Sequence, residues 1–194
     1  ALRAANLPMY GYPRPTAPRL AALARDAILF ENHLVHFPGT TVSVSQMLTG
    51  RMAAPLFVGY DYLAVPMHAE PARLLVLPRA LRAAGFHTGI VSSHYWFGGS
   101  ADLLREFDAH AIVSERSGEK PYATFDRLLP EIDAFLDAAT AAGRPFFLYV
   151  HAMDTHGPNG FHRGFDRFRN AADWPDAYNR YDAEIEYTDH GIGQ

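Results

Sequence analysis

The feature that most restricts the fold of this chain is a helical pattern followed by a glycine and an apolar strand, an order that occurs twice. Leu77 to Ala84 predicts a helix and Thr88 to Ser92 predicts a strand. Tyr122 to Ala142 then predicts a long helix that is interrupted by Pro130, and Pro145 to Val150 predicts a strand that is apolar on both faces. Because strands that alternate with helices pair in parallel, we expect an α/β fold around a covered parallel sheet.

The length and the two ends of the chain indicate how much of a domain is present. A chain of 194 residues, of which 48% are hydrophobic, can bury the core of one domain or of part of one. It begins at Ala1 rather than at Met, and its last helical pattern stops at Gly191 to Gln194 without a terminating signal. We therefore expect residues 1–194 to be a partial domain that is truncated at both ends. These residues contain neither an apolar run of membrane-spanning length nor a leader pattern.

Charge and cysteine usage exclude several functional classes. The formal net charge is -4 and the 17 Lys and Arg residues are scattered, so nucleic acid is not an expected partner. The chain has no cysteine, which excludes disulfides, thiolate metal sites and cysteine nucleophiles. Any small anionic ligand would have to be recognised by a few local groups instead.

Thr40 lies where the sequence predicts a change from strand to helix. Ala27 to Phe30 is an apolar run that favours a strand, and Val42 to Leu48 has a helical pattern. A hydroxyl at the start of a helix meets free backbone N–H groups and the positive end of the helix dipole, and both stabilise a bound anion. Once a metal ion or a base assists its ionisation, such a threonine can attack a phosphorus or sulfur centre. The alternative is a helix cap without catalytic function.

The segment that follows Thr40 resembles the signatures of two related enzyme families. Met47-Leu-Thr-Gly-Arg51 is similar to the end of the sulfatase signature, whose nucleophile lies eleven positions before the arginine, at Thr40 here. The phosphoethanolamine transferases belong with the sulfatases to the alkaline-phosphatase superfamily. When their nucleophilic threonine is aligned with Thr40, the residues Ser43, Val44 and Met47 match the pattern that follows it. The resemblance implies that Thr40 is the catalytic nucleophile and a metal ligand.

Departures from the sulfatase signature favour direct chemistry by the threonine. Sulfatases convert a Cys or Ser nucleophile to formylglycine in a context with a Pro or Ala and an Arg, whereas Val42 and Val44 occupy the matching positions here. We therefore expect a phospho-threonine intermediate at Thr40, with Thr41 as the adjacent alternative. The chain also departs from the transferases, because Ser45 replaces their proline and their cysteines are absent.

Two histidines follow the predicted strand at Pro145 to Val150, at the carboxyl end where open α/β sheets bind ligands. His151-Ala-Met-Asp-Thr-His156-Gly-Pro158 resembles the family motif His-x-Met-x-x-His-Gly-Pro, whose second histidine contacts the anionic group of the substrate. The resemblance implies this role for His156, which could donate to that group or protonate a leaving alkoxide. Substrate binding and packing are both open for His151, and a structural role is favoured for Asp154. The other histidines, His162 among them, have no metal-ligand spacing and are expected on the surface or in the core.

Asp189-His190-Gly191 imitates the Asp-His-Gly metal motif of the family. However, Tyr181 to Ile192 has helical spacing and resembles a family helix that precedes the metal motif. A helical decoy is favoured, although a metal site remains the alternative. The resemblance implies a divalent metal cofactor, zinc or calcium, with Thr40 as one ligand and the others outside residues 1–194, including an acid immediately before Ala1.

Together with the helix and strand order, the resemblance implies an incomplete alkaline-phosphatase-like α/β fold, mostly parallel with helices on both faces of the sheet. It implies a metal-dependent hydrolase or transferase that acts on phosphate or sulfate esters, with phosphoethanolamine-transferase-like chemistry favoured. A degenerate, non-catalytic member that binds an anionic lipid or glycan head group is the alternative. The family places such domains on the periplasmic or extracytoplasmic face of the cell membrane, behind an amino-terminal anchor that would precede Ala1. The fragment alone is expected to be inactive and to bind metal weakly.

Overall fold

The structure, a computed structural model, describes residues 2–35, 37–50, 76–99, 101–113 and 122–194. Within these ranges the α-helices are α1 Pro18–Leu23, α2 Thr40–Thr49, α3 Leu77–Ala83, α4 Ala101–Leu104, α5 Leu129–Ala141 and α6 Asp176–Ile192. Short 3-10 helices occur at Ala4–Asn6, Pro8–Tyr10, Tyr95–Gly99 and Phe125–Arg127. The strands are β1 His87–Ser92, β2 Ala109–Ile112 and β3 Phe146–His151. Arg51, the last residue of the segment that resembles the sulfatase signature, lies outside the described residues.

The described residues form two compact units. The first contains those within 1–32, 114–129 and 152–194, and the second contains those within 33–113 and 130–151. Each unit is therefore assembled from stretches that are distant in the sequence. That residues 1–194 belong to one truncated domain stays a prediction.

The second unit is built on a sheet of three parallel strands in the order β2-β1-β3. Ser92, at the carboxyl end of the central strand β1, lies beside Ile112 of β2 and beside His151 of β3. The parallel pairing confirms the predicted α/β class. The strand β2 was not predicted, because its four residues are too few for a clear alternation of apolar and polar side chains.

Helices cover both faces of this sheet. On one face the ring of Phe135 in α5 fills the space beside Gly89, so closely that a Cβ atom there would lie 2.3 Å from a ring carbon. On the other face Ile90 is fully buried in a cluster with Val44 and Leu48 of α2. Successive residues of a strand point to opposite faces, so the two contacts confirm helices on both sides. Only a glycine lets α5 approach β1 so closely.

The predicted strand at Ala27 to Phe30 is wrong, because these residues form neither a strand nor a helix. The side chain of Phe30 is 68% exposed, and its carbonyl accepts a hydrogen bond from the hydroxyl of Tyr10 at 3.2 Å. An apolar run forms a strand only where a neighbouring strand pairs with its backbone. In the described part of the chain, the paired strands are β1, β2 and β3.

The other predicted elements are confirmed with small shifts. The helix α3 ends before Gly85, whose φ of 93° is in the left-handed region that favours glycine. The long helical stretch divides near Pro130, with a 3-10 turn at Phe125–Arg127 followed by α5. Proline lacks an N–H group and is accommodated in the first turn of a helix, which explains the new start.

The first unit is organised around α6, whose 17 residues confirm the predicted helix at Tyr181 to Ile192. Buried Asp182 accepts hydrogen bonds from the Arg14 guanidinium and from the Tyr12 hydroxyl, each at 2.7 Å. An apolar cluster adjoins these contacts and contains Leu7, Ala17, Tyr181 and Ile185. None of the helices in the described ranges is both long enough and apolar enough to cross a membrane.

Candidate functional site

Thr40 is the first residue of α2 and is exposed to solvent. The N-cap of the helix is Gly39, so the helix starts two residues earlier than predicted and the threonine is not its cap. Thr40 lies in the first turn, where the N–H groups of an α-helix have no intrahelical acceptor. Val42 and Val44, which are 2% and 4% exposed, anchor this turn in the core of the second unit. The arrangement can present a hydroxyl to an anion that is bound at the positive end of the helix.

His151 is the last residue of β3, and its ring is half-buried. Its Nδ1 atom lies 2.9 Å from the hydroxyl of Tyr149, and the ring packs against Phe97 with centroids 5.0 Å apart. Burial, and then the charge of His94, lower the pKa of His151 to about 4, so the imidazole is neutral near pH 7. Its Nε2 atom is buried without a hydrogen-bond partner among the described residues. These contacts are those of a packed histidine, and its role in substrate binding stays a prediction.

His156 belongs to the first unit, and its side chain is exposed. The buried Tyr122 donates a hydrogen bond from its hydroxyl to the main-chain carbonyl of His156. The same hydroxyl lies 3.3 Å from the carbonyl oxygen of Gly157. Burial, and then the negative charges of Glu184 and Asp154, raise the pKa of Tyr122 to about 12, so the phenol keeps its proton. The backbone at His156 is thus fixed while its imidazole stays accessible.

His156 also lines a cavity of about 420 Å³ in the first unit. Arg3, Asn159 and Tyr181 line the same cavity, and the Arg3 guanidinium lies 5.6 Å from the centre of the Tyr181 ring. The Oδ1 atom of Asn159 is buried and has no hydrogen-bond partner in the described part of the chain. An imidazole, a guanidinium and an amide oxygen can together bind an anionic group that also carries hydroxyl or amine donors.

Asp189 and His190 lie within α6 rather than after a strand. The two carboxylate oxygens of Asp189 accept hydrogen bonds from the backbone N–H groups of Arg19 and Leu20, at 3.0 and 2.8 Å. Both N–H groups are in the first turn of α1, so Asp189 caps that helix from a distant part of the chain. His190 is exposed, and its Nδ1 atom lies 3.3 Å from the Arg19 guanidinium. The contacts give Asp189 a structural role, in agreement with the decoy interpretation.

A cluster of metal-ligand residues that the sequence did not predict lies in the first unit. Asp154, His162 and Glu184 each offer one ligand atom, and these atoms all lie within 4.8 Å of one another. The cluster forms only when the irregular chain after β3 folds onto α6, so no sequence spacing indicates it. One signal was available, because Glu184 places a charge on the helix face that also carries Tyr181 and Ile185.

The three residues that the sequence singled out are divided between the units. Thr40 and His151 belong to the second unit, whereas His156 belongs to the first. Within the second unit, His151 points to the same face of the sheet as Ile90, which is the face that α2 covers. The functional roles of Thr40, His151 and His156 stay predictions.

Comparison with known families matches all of residues 1–194 to the family described as Sulfatase. YhbX of Escherichia coli K12, which carries a provisional description as a transferase, is 26% identical over 196 residues that cover 100% of this chain and 32% of YhbX. Phosphoglycerol transferase I of Salmonella arizonae is 25% identical over 156 residues, which cover 74% of this chain and 20% of that protein. The chain therefore spans about a third or less of the length of these relatives.

Two solved structures have a similar fold. The C-terminal periplasmic domain of EptC from Escherichia coli, in complex with Zn, has a TM-score of 0.73 and 20% identity, over 98% of this chain and 54% of that one. Lipooligosaccharide phosphoethanolamine transferase A of Neisseria meningitidis has a TM-score of 0.71 and 18% identity, over 98% of this chain and 35% of that one. These similarities confirm an alkaline-phosphatase-like fold, of which this chain holds a part.

Proposed function

This chain belongs to the sulfatase family, and on that premise we propose that it supplies Thr40 as the nucleophile of a metal-dependent transferase or hydrolase acting on phosphate or sulfate esters. The observation that carries the proposal is the exposed position of Thr40 in the first turn of α2. Threonine cannot become formylglycine, so chemistry like that of phosphoethanolamine transferases is favoured. The names of two similar proteins, a phosphoglycerol transferase and a phosphoethanolamine transferase, support a phosphodiester substrate.

In the proposed reaction, the Oγ1 atom of Thr40 attacks phosphorus. A bond forms between Oγ1 and phosphorus while the bond from phosphorus to the leaving alcohol breaks. The threonine proton passes to a base, and the leaving alkoxide takes up a proton. In the second half an acceptor hydroxyl, or water in a hydrolase, attacks the phospho-threonine and releases Thr40. The free N–H groups of the first turn of α2 stabilise the negative charge on the non-bridging oxygens.

His156 is proposed to bind the transferred group. Its accessible imidazole can donate to a non-bridging oxygen or protonate the leaving alkoxide. The nearby Arg3 and Asn159 support this role, because a guanidinium favours an anion and an amide oxygen accepts from an amine or hydroxyl of the same group. His151 is retained as a proposed substrate-binding residue of lower importance, since its ring is half-buried.

A divalent cation, zinc or calcium, would supply the Lewis acidity that favours the ionised hydroxyl of Thr40. The exposed hydroxyl oxygen of Thr40 is accessible to such an ion, so this residue fits the role of a ligand. The zinc in the EptC structure supports zinc over calcium. The remaining ligands of this catalytic ion are proposed to lie outside residues 1–194.

The substrate is proposed to be a small, lipid-linked or glycan-linked anionic ester at the periplasmic or extracytoplasmic face of the membrane. The description of the EptC domain as periplasmic supports this location. The name of the Neisseria enzyme, which specifies lipooligosaccharide, supports a lipid-linked acceptor. Membrane association would then depend on an amino-terminal anchor outside these residues, and nucleic acid is not an expected partner.

Substitution of adjacent threonines in the full-length protein tests the nucleophile. We expect Thr40→Ala to lower turnover of p-nitrophenyl phosphate or of a phosphoethanolamine lipid by roughly 10³-fold or more. Thr41→Ala is the matched control and should retain most of the activity. Mass spectrometry of the quenched reaction should find the transferred group on the peptide that contains Thr40.

The opposite results would change the proposal in distinct ways. Loss of turnover in Thr41→Ala but not in Thr40→Ala would move the nucleophile by one residue. Turnover that neither substitution affects would remove both threonines from the chemistry. Binding of anionic lipid vesicles without turnover of any ester would support the degenerate binding module.

A further inference from the structure

Asp154, His162 and Glu184 come from different parts of the first unit and meet at one point. Asp154 lies in the segment after β3, His162 in the irregular chain that comes next, and Glu184 in α6. Their three ligand atoms lie within 4.8 Å of one another. None of these residues is a nucleophile, a substrate-binding group or a metal ligand in the reaction proposed for Thr40.

Backbone amides hold both carboxylates in place. The N–H group of Phe125 donates to Oδ1 of Asp154 at 3.0 Å. The N–H group of Gly160 donates to Oε1 of Glu184 at 2.8 Å. Carboxylates that bind metals are commonly held by such hydrogen bonds, which fix their orientation before the ion arrives.

The imidazole of His162 is also held in place, and it can be reached from solvent. Its ring stacks on Tyr187 with centroids 3.8 Å apart and an angle of 10° between the planes. Its Nε2 atom lies 2.7 Å from Oε2 of Glu184. His162 and Tyr187 also line an open cavity of about 410 Å³, which provides a path for an ion.

The two carboxylates of the cluster are buried, which favours a bound cation beside them. Asp154 and Glu184 are 1% and 0% exposed. Ionised carboxylates in such positions are stable when they are paired with positive charge or coordinate a metal. A divalent ion beside them supplies two positive charges, and a neutral imidazole is the form of histidine that binds metals.

We propose that Asp154, His162 and Glu184 bind a divalent transition-metal ion, for which zinc is the best match. One imidazole nitrogen and two carboxylate oxygens are donors that zinc accepts, and water can complete a tetrahedral site. Neighbouring ligands of tetrahedral zinc lie about 3.3 Å apart. Side-chain shifts of about 1 Å would therefore bring the three ligand atoms, now within 4.8 Å of one another, into position.

The ion in this site has a structural role. Asp154 and His162 lie on either side of His156 in the sequence, and Glu184 belongs to α6. The ion therefore ties the segment that carries His156 to the helix at the centre of the first unit. It also gives these residues a metal affinity that the sequence did not predict.

The zinc content of the full-length protein tests the proposal. The protein is stripped with EDTA and reloaded with zinc, and bound zinc is counted by plasma mass spectrometry in the wild type, Glu184→Gln and His162→Asn. Glu186→Gln is the matched control, because Glu186 lies on the same helix but outside the cluster. We expect the wild type and the control to hold one more zinc equivalent than the two cluster variants. A Thr40→Ala protein should keep this equivalent, which separates the site from the proposed catalytic metal.

Thermal unfolding provides a second measurement. Zinc at roughly 100-fold above its Kd should raise Tm by about 5–10 °C more in the wild type and in Glu186→Gln than in His162→Asn. If Glu184→Gln does not fold, the test depends on His162→Asn. This variant is expected to fold, because the His162 side chain is 19% exposed and its loss leaves no new buried cation. Equal zinc counts in the wild type and His162→Asn, or a wild-type Tm that zinc does not change, would overturn the proposal.

Discussion

The hydroxyl of Tyr122 donates a hydrogen bond to the main-chain carbonyl of His156, so a buried phenol holds the backbone of an exposed histidine. In Tyr122→Phe the carbonyl loses this donor, and we expect the free energy of unfolding to fall by about 1–2 kcal/mol. Chemical denaturation measures the change. Tyr95→Phe is the control, since its ring is 61% exposed, and it should change stability by less than about 0.5 kcal/mol. Equal stability of Tyr122→Phe and the wild type would show that the contact contributes nothing.

Breaking the buried ion pair of Arg14 and Asp182 should lower the free energy of unfolding far more than breaking an exposed pair. The Arg14 guanidinium binds Asp182 at 2.7 Å and the side-chain oxygen of Asn179 at 2.8 Å. Asp182→Ala leaves a buried cation without its carboxylate, so we expect a loss of about 3–5 kcal/mol in the free energy of unfolding. The exposed pair of Arg180 and Asp176 is the comparison, and Asp176→Ala should cost about 0.5 kcal/mol or less. Similar losses in urea denaturation of both variants would contradict this ranking.

Substitution of Asp189 tests whether this residue is a helix cap or a metal ligand. Because it accepts from the N–H groups of Arg19 and Leu20, Asp189→Ala should lower the free energy of unfolding by about 1–2 kcal/mol. It should leave the zinc content of the full-length protein unchanged. Stability is measured by denaturation and zinc by plasma mass spectrometry. A loss of zinc from this variant with little loss of stability would restore the metal-motif interpretation.

The buried imidazole of His151 should make stability depend on pH. Its pKa falls from 6.5 to about 4 in the folded state, so the unfolded state binds more protons between these values. The folded protein therefore has its full stability above about pH 6.5, where the imidazole is neutral in both states. The free energy of unfolding decreases as the pH falls toward about 4. The total loss from this group is about 3 kcal/mol. Urea denaturation across this range should show a weaker pH dependence in His151→Gln than in the wild type.

A matched control supports the interpretation of that profile. His110 is exposed in β2, and His110→Gln is measured across the same pH range as the control for the loss of one histidine from this sheet. If His151→Gln and the wild type had the same profile, the acid sensitivity would come from other groups.

The fold could be predicted where a local pattern is sufficient. The helix before Gly85 and the strand β3 follow from a glycine stop and from an apolar run, both of which act over a few residues. The prediction failed for β2 and for Ala27 to Phe30, because a strand exists only through a partner that the local sequence does not specify. The requirement for glycine at residue 89 likewise depends on a tertiary contact, because the ring of Phe135 occupies the space beside it.

The candidate site shows the same limit. Thr40 and His156 could be singled out because each lies in a motif of contiguous residues. Asp154, His162 and Glu184 could not, because their meeting depends on the path of an irregular segment between β3 and α6. Such paths are set by tertiary contacts rather than by periodicity.

The contacts of the amino-terminal stretch with α6 have a consequence for synthesis on the ribosome. Arg14 and Arg19 are made before the three described strands, whereas their partners Asp182 and Asp189 lie in α6, the last of the described elements. At translation rates of roughly 5–20 residues per second, the first segment waits about 10–30 s for the helix that holds it. During that interval the guanidinium of Arg14, which is buried in the folded protein, is hydrated rather than paired with Asp182. A ribosome that stalls before α6 would therefore leave a nascent chain in which the segment with Arg14 and Arg19 is open to proteases and chaperones.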